Sequence, residues 1–151
     1  MYNALEEIPQ LKKLVQIGIR DYCGEEVDYI NANKERIVTY FDKDIKERQY
    51  EGDTWKKIVD EMINHLPEKV YISFDIDGLD PKLCPHTGTP VQGGFETEQI
   101  FYLFKKLMQS GRKFVGFDLN EVGVSHDEWD ENVGARFLFK MCNLLVAANP
   151  A

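Results

Sequence analysis

The chain has 151 residues, of which 43% are apolar, so it is long enough to form one domain with a buried core. Its 26 acidic and 18 basic residues give a net charge of −8, and the basic residues are scattered, which argues against nucleic acid as a partner. No apolar segment approaches the ~20 residues of a membrane-spanning helix, and the first ten residues lack the basic and apolar regions of a secretory signal. We therefore expect a cytoplasmic protein with no membrane partner.

Apolar runs alternate with segments of helical periodicity along the whole chain. Strands are predicted at 14–19, 36–41, 70–74 and 114–119, and helices at 25–33, 54–66, 97–110 and 132–147, with a further helical region after the second strand. The repeated strand-helix-strand order predicts an α/β fold with a parallel sheet and helices on its faces. Residues 1–151 show no linker or internal repeat and are interpreted as a single domain unit.

Two polar loops follow predicted strands, at 75–94 and 120–130. In open α/β sheets, ligands bind beyond the carboxyl ends of the strands, so both loops should face one crevice. The first loop, of about twenty residues, is longer than most connections in a compact domain, which indicates a functional role.

The first loop begins with three aspartates within six residues, Asp75, Asp77 and Asp80. If the third strand continues to Asp77, then Asp75 and Asp77 project from one face with Cα atoms roughly 6 to 7 Å apart. Oxygen ligands of this kind suit Mn²⁺, Mg²⁺, or Zn²⁺ completed by histidine, and a metal pair would fit. Asp80 precedes a proline, where an aspartate commonly stabilises a turn, so we interpret it as structural.

Other site types fit the sequence poorly. An EF-hand is excluded because Gly78 comes too early and His86 stands where the terminal glutamate belongs. A phosphate-binding loop is excluded because no Gly-Lys-Ser/Thr follows the glycines. The three cysteines have no CxxC spacing, so reduced thiols are expected, with Cys84 in a packing role. His65, His86 and His126 are expected to be surface or structural residues.

A longer segment carries a specific resemblance. Ser73 to Pro81, continued by Pro85, by Thr87-Gly88-Thr89-Pro90 and by Gly93-Gly94, resembles the third signature of the arginase, agmatinase and formiminoglutamase family, the ureohydrolases. The segments 15–20 and 117–122 are similar to flanking strands of that family in the same order. The resemblance therefore covers most of the chain.

The resemblance implies a three-layer α/β/α fold with a mostly parallel sheet, and hydrolysis of a guanidinium or formimino C–N bond at a pair of Mn²⁺ ions. By analogy, Asp75 and Asp77 match two carboxylate metal ligands, Glu121 matches the glutamate that binds the cationic group of the substrate, and Thr89 matches a threonine lining the same pocket. A metal-bridged hydroxide would be the nucleophile, which leaves the catalytic side chains unassigned. The partner would be a small amidine or guanidino compound.

The sequence also departs from the family pattern. Neither the Gly-Gly-Asp-His segment nor the Asp-Ala-His-x-Asp segment that carries the other metal ligands is found. We therefore expect this chain to be the C-terminal part of a longer enzyme, inactive by itself, with a truncated sheet whose exposed edge and apolar surface favour a homo-oligomer. The segment after Glu121 lacks a proline found in many relatives, which leaves the substrate open.

The sequence is compatible with two alternatives. An aspartyl-phosphate phosphatase would use the Asp75-x-Asp77 motif, with Asp75 as nucleophile and Mg²⁺ beside it, although its motif normally opens the domain and a later Asp-Asp pair is missing. A non-catalytic assembly module would use the last helix, whose apolar band comprises Val133, Phe137, Leu138, Met141, Leu144 and Leu145. Residues 129–131, ahead of that helix, are interpreted as a capping segment at its start rather than as catalytic residues.

Overall fold

The computed structural model describes residues 1–149, so residues 150 and 151 of the predicted unit lie outside it. The helices are α1 (Tyr2–Glu7), α2 (Gly24–Ala32), α3 (Asp42–Tyr50), α4 (Trp55–Asn64), α5 (Thr97–Gln109) and α6 (Trp129–Ala148). The strands are β1 (Leu14–Ile19), β2 (Ile37–Phe41), β3 (Lys69–Asp75) and β4 (Lys113–Asn120). All four predicted strands are confirmed, whereas α1 was not predicted.

The strands form two parallel pairs. β1 pairs with β2 and β3 pairs with β4, each through a crossover that contains a helix, α2 in the first pair and α5 in the second. The α/β class is confirmed, but within residues 1–149 the strands make two two-stranded sheets rather than the one sheet expected.

Side chains connect the two pairs. The rings of Trp55, in α4, and Phe95, before α5, lie with centroids 5.5 Å apart, and Phe95 also packs against Gly18 of β1. Arg20, just after β1, donates a hydrogen bond to the carbonyl oxygen of Gly78, just after β3, at 3.2 Å. The carboxyl ends of β1 and β3 are thus held at the same side of the molecule.

α4 shows why these residues form a helix here. Thr54 caps it by accepting a hydrogen bond from the backbone N–H of Lys57 at 3.2 Å. Its apolar residues recur on one face and are buried, as the spacing predicted: Ile58, Val59, Met62 and Ile63. Burial of this face ties α4 to the core formed with α5 and the strands.

α6 begins at Trp129, three residues before the predicted start near Asn132. The carboxylate of Asp127 accepts the backbone N–H of Trp129 at 3.1 Å, which satisfies a free donor of the first turn. Asp130 and Glu131 follow in that turn, where the helix dipole favours negative charge. Residues 129–131, interpreted as a capping segment ahead of the helix, therefore form its first turn, and the capping contact comes from Asp127.

The apolar band predicted along α6 is only partly buried. Val133, Phe137 and Met141 lie in the core, with the Phe137 ring stacked on Phe74 at 4.8 Å, whereas Leu138 is 45% exposed. The geometric reason is that Leu138 lies about 100° around the helix from Phe137. No helix in the described range is both long enough and apolar enough to cross a membrane.

One face of the β3–β4 pair is covered and the other is open. Along β3, Val70 and Phe74 are buried beneath α5 and α6, while Tyr71, Ser73 and Asp75 are exposed. This alternation follows from the two-residue period of a strand. The open face ends at Asp75, the first residue of the predicted site.

Candidate metal and substrate site

The Asp-x-Asp segment departs from the predicted geometry. β3 ends at Asp75, and Ile76–Gly78 forms one turn of 3₁₀ helix, with Ile76 fully buried. The expectation that Asp75 and Asp77 share one face of a continuing strand is therefore wrong. The turn arises because Ile76 fills the core while the N–H of Leu79 bonds back to the carbonyl of Ile76 at 3.0 Å.

The carboxylates still lie close enough to act on one another. Burial raises the pKa of Asp77, and the negative charges of Asp75 and Glu121 raise it further, while the charge of Arg20 acts in the opposite direction. The structure thus brings Asp75 and Asp77, the predicted metal ligands, near Glu121, the predicted substrate residue. A bound cation would relieve this repulsion, and carboxylate oxygens are suitable donors for Mn²⁺.

The protein portion of such a metal site is incomplete. In the range 1–149, no three His, Cys, Asp or Glu side chains are arranged so that they could hold a metal ion together. The donor chemistry of Asp75 and Asp77 fits a divalent ion, but it supplies only part of a coordination shell, which for Mn²⁺ commonly requires about six ligands.

The Gly/Thr/Pro loop lies beside Glu121. A side chain at Gly88 would approach Oε2 of Glu121 to 3.8 Å, so the loop backbone passes along the carboxylate. Thr87 is buried, whereas Thr89, the residue matched to the substrate pocket, is exposed. Glu121 itself adopts a left-handed backbone conformation with φ of 60°, which is uncommon outside glycine. The two predicted loops therefore do meet.

Sequence reasoning missed two residues that hold the loop in place. Arg20 donates to the carbonyl oxygens of Asp77 and Gly78, and Asp42 accepts the backbone N–H of Gly94 at 3.3 Å through Oδ2. Both residues follow directly after a strand, β1 and β2 respectively. Their position at a carboxyl end was the available signal, because such ends converge in parallel α/β arrangements.

The remaining sequence assignments in this region concern structural residues. Asp80 Oδ1 accepts the N–H of Lys82 at 3.0 Å, which confirms its role in a turn. Cys84 is 1% exposed, and burial raises the pKa of its thiol to about 11, so the packing role is confirmed. His86 lies against the buried carboxylate of Asp130, a structural contact.

Comparison with known proteins gives a consistent picture. The Arginase family model matches residues 1–143. A guanidinobutyrase from Pseudomonas aeruginosa is 32% identical over 149 residues, covering 93% of this chain and 43% of the relative. An agmatinase from Chromobacterium violaceum is 34% identical over 128 residues, covering 84% of this chain and 35% of the relative.

A solved structure agrees. Proclavaminate amidino hydrolase from Streptomyces clavuligerus has a TM-score of 0.76 and 26% identity over 98% of this chain and 47% of that one. The chain thus has the arginase-like α/β fold and spans less than half the length of these relatives. Because the family model matches residues 1–143, nearly the whole sequence, this chain belongs to the arginase family.

Proposed function

We propose that this chain supplies part of the active site of a ureohydrolase that cleaves a C–N bond in a small guanidino or formimino compound. The observation that carries the proposal is the convergence of Asp75, Asp77 and Glu121, expressed in the raised pKa of Asp77. Carboxylates whose charges act on one another suit both a divalent ion and a cationic substrate. The names of the relatives, guanidinobutyrase, agmatinase and amidino hydrolase, agree with a guanidino or amidino substrate class.

The proposed roles divide between metal and substrate. Asp75 and Asp77 would hold a pair of Mn²⁺ ions, together with ligands from outside this chain. When bound, such a metal pair would activate water for attack on the amidine carbon. Glu121 would accept hydrogen bonds from the planar cation of the substrate, for which a carboxylate is the natural partner, and Thr89 would line the same pocket.

The chain by itself is proposed to be inactive. Two carboxylates bind divalent ions weakly, and residues 1–149 offer no third protein ligand in place. The isolated chain should produce no urea above blank from agmatine, guanidinobutyrate or arginine in the presence of Mn²⁺. It should also release no phosphate from an aryl phosphate with Mg²⁺, because its resemblance is to ureohydrolases. Turnover of an amidine, or tight stoichiometric Mn²⁺ binding in calorimetry, would contradict this proposal.

The catalytic assignment can be tested in a chimera. Residues 1–143 of this chain would replace the matching part of the Pseudomonas aeruginosa guanidinobutyrase, so that ligands absent here are supplied by the relative. We expect Mn²⁺-dependent guanidino hydrolysis that is lost in Asp77→Asn and Glu121→Gln. Asp80→Asn is the matched control, because that carboxylate contacts only the backbone N–H and the ammonium group of Lys82 in its turn, and it should retain activity. Equal activity in Asp77→Asn and in the parent chimera would refute the assignment.

Assembly is a second proposed property. Tyr71 and Val115 are more than half exposed on the β3–β4 pair, and Phe139 and Val146 are 67% and 73% exposed on α6. Exposed apolar residues of this number, together with unpaired strand edges, favour association into a homo-oligomer. Light scattering should give a mass above that of one chain, and Phe139→Glu should lower it if α6 forms the contact.

A further inference from the structure

Asn120 contacts the first proposed metal ligand from the neighbouring strand. In the parallel pairing of β3 with β4, Asp75 lies opposite Asn120 and Ser73 lies opposite Asp118. The side-chain amide of Asn120 donates one hydrogen bond to Asp75 Oδ1 at 2.9 Å and another to Asp118 Oδ1 at 2.6 Å. Both N–H donors of the amide are therefore used, each by a different carboxylate.

The Asp118 carboxylate holds the amide in this orientation. Ser73 donates its hydroxyl to Asp118 Oδ1 at 2.7 Å. Partial burial alone would raise the pKa of Asp118, but hydrogen bonds from Ser73, Asn120 and Tyr71 outweigh it and leave the pKa below its ordinary value. Asp118 is thus a fixed anion, and an amide that donates to it must present its second N–H, rather than its carbonyl oxygen, toward Asp75.

The consequence for Asp75 is a fixed rotamer. Asp75 is exposed at the end of β3, where a free carboxylate would populate several χ1 wells. The bond from Asn120 ties Oδ1 to β4 and leaves the second oxygen of the carboxylate to bind an ion. Hydrogen-bond partners that orient a metal-ligating side chain commonly change metal affinity by about 10- to 100-fold.

We propose that Asn120 is a positioning residue that fixes the Asp75 carboxylate, with Asp118 as its anchor, so that Asp75 is oriented for metal before metal arrives. This inference rests on the proposed metal role of Asp75 but concerns a residue to which the resemblance assigns no function. Sequence alone offered no indication of it, because the contact depends on the register between β3 and β4.

A test without metal measures the rotamer directly. Three-bond ¹³C and ¹⁵N couplings to Cγ of Asp75, recorded by NMR on the full chain, should report one χ1 rotamer in the wild type. In Asn120→Leu, which keeps the size but removes both donors, we expect rotamer averaging. Asp118→Asn should give couplings between those of the wild type and those of Asn120→Leu. Asn143→Leu makes the same change at an exposed position of α6 and should leave the Asp75 couplings unchanged. Couplings that stay at one rotamer in Asn120→Leu overturn the proposal.

A test with Mn²⁺ separates the positioning role from the proposed function. Water-proton relaxation during a Mn²⁺ titration should show that Asn120→Leu binds Mn²⁺ roughly tenfold or more weakly than the wild type. Asp75→Asn, which removes the proposed ligand itself, gives the binding that remains without it. In the Asp75→Asn background, Asn120→Leu should cause no further loss, because its effect acts through Asp75. An equal loss in both backgrounds overturns the positioning role. If Asp75→Asn binds Mn²⁺ as well as the wild type, the proposed metal role of Asp75 fails, and the rotamer result alone then decides what Asn120 does.

Discussion

His86 and Asp130 are joined by two hydrogen bonds across 44 residues of sequence. Asp130 Oδ2 accepts the backbone N–H of His86 at 3.0 Å, and Oδ1 lies 3.0 Å from His86 Nδ1. Asp130 has no solvent exposure, whereas the imidazole of His86 is partly exposed. The pair fixes the start of the Gly/Thr/Pro loop, which passes Glu121, to the first turn of α6.

This contact predicts unequal effects for its two partners. Asp130→Ala removes both bonds together with a fully buried side chain, so it should lower the free energy of unfolding by about 2 to 4 kcal/mol. His86→Ala keeps the backbone bond and should lose roughly 1 kcal/mol. Urea denaturation measures the free energy of unfolding of both variants. An equal loss of stability in the two variants would mean that the backbone bond to His86 is not the larger contribution.

The raised pKa of Asp77 predicts that the site destabilises the metal-free protein at neutral pH. The raised pKa means that the folded protein binds the carboxyl proton of Asp77 more tightly than the unfolded chain does. Protonated Asp77 therefore contributes fully to the stability of the fold below the unfolded pKa, near 3.8, and this contribution is lost as pH rises through the raised folded pKa. Asp77→Asn should therefore unfold at higher denaturant concentration than wild type at pH 7. The difference should shrink as the pH falls below about 4.

Asp53 provides the matched control for that experiment. Hydrogen bonds from Lys57 and Arg48 lower the pKa of Asp53, so its stabilising contribution is present above the unfolded pKa and is lost as pH falls through the lowered folded pKa. Asp53→Asn should thus destabilise the protein at pH 7, opposite in sign to Asp77→Asn. If Asp77→Asn destabilises the protein at pH 7 as Asp53→Asn does, the raised pKa of Asp77 in the folded protein is contradicted.

The cysteines predict a graded reaction with a thiol reagent. Cys23 and Cys142 are exposed, while Cys84 is buried with a thiol pKa of about 11. At pH 8 only about one Cys84 thiol in a thousand is ionised, and the thiolate is the reactive form. Ellman's reagent should therefore modify two thiols rapidly and the third only after denaturant is added. Rapid modification of three thiols in the native chain would exclude a packed Cys84.

Part of the site could be predicted from the sequence because it depends on local pattern. The apolar run before Asp75, the polar loops after two strands and the periodic face of α4 each follow from a short segment, and each is confirmed. The family signature then identified Asp75, Asp77 and Glu121 as residues of interest, and the structure places their charges near one another.

What could not be predicted depends on contacts distant in sequence. The 3₁₀ turn after Asp75 requires knowledge that Ile76 is buried, and the hydrogen bonds of Arg20 require the relative position of β1 and β3. Asn120 reaches Asp75 only because of the register between β3 and β4. The early start of α6 likewise depends on the capping geometry of Asp127, which periodicity does not report.

The return of the long loop to β3 predicts a strong requirement for glycine at position 94. Gly94 has φ of 93°, and a Cβ there would lie 2.5 Å from the carbonyl oxygen of Leu79, in the short bridge that pairs Leu79 with Phe95. Gly94→Ala therefore combines an unfavourable backbone conformation with a clash against backbone and should lower the free energy of unfolding by more than about 2 kcal/mol.

Gly52 separates those two effects. It has φ of 104°, but a Cβ at this position would meet no atom within 4 Å, so Gly52→Ala carries only the backbone strain, about 1 kcal/mol. Thermal and urea unfolding of the two variants should rank Gly94→Ala as clearly less stable. Since the Leu79–Phe95 bridge closes the loop that carries Thr89, Gly94→Ala should also increase amide exchange between residues 79 and 95, whereas Gly52→Ala should not. Equal stability and equal exchange in the two variants would mean that the loop closes without the tight approach of Gly94 to Leu79.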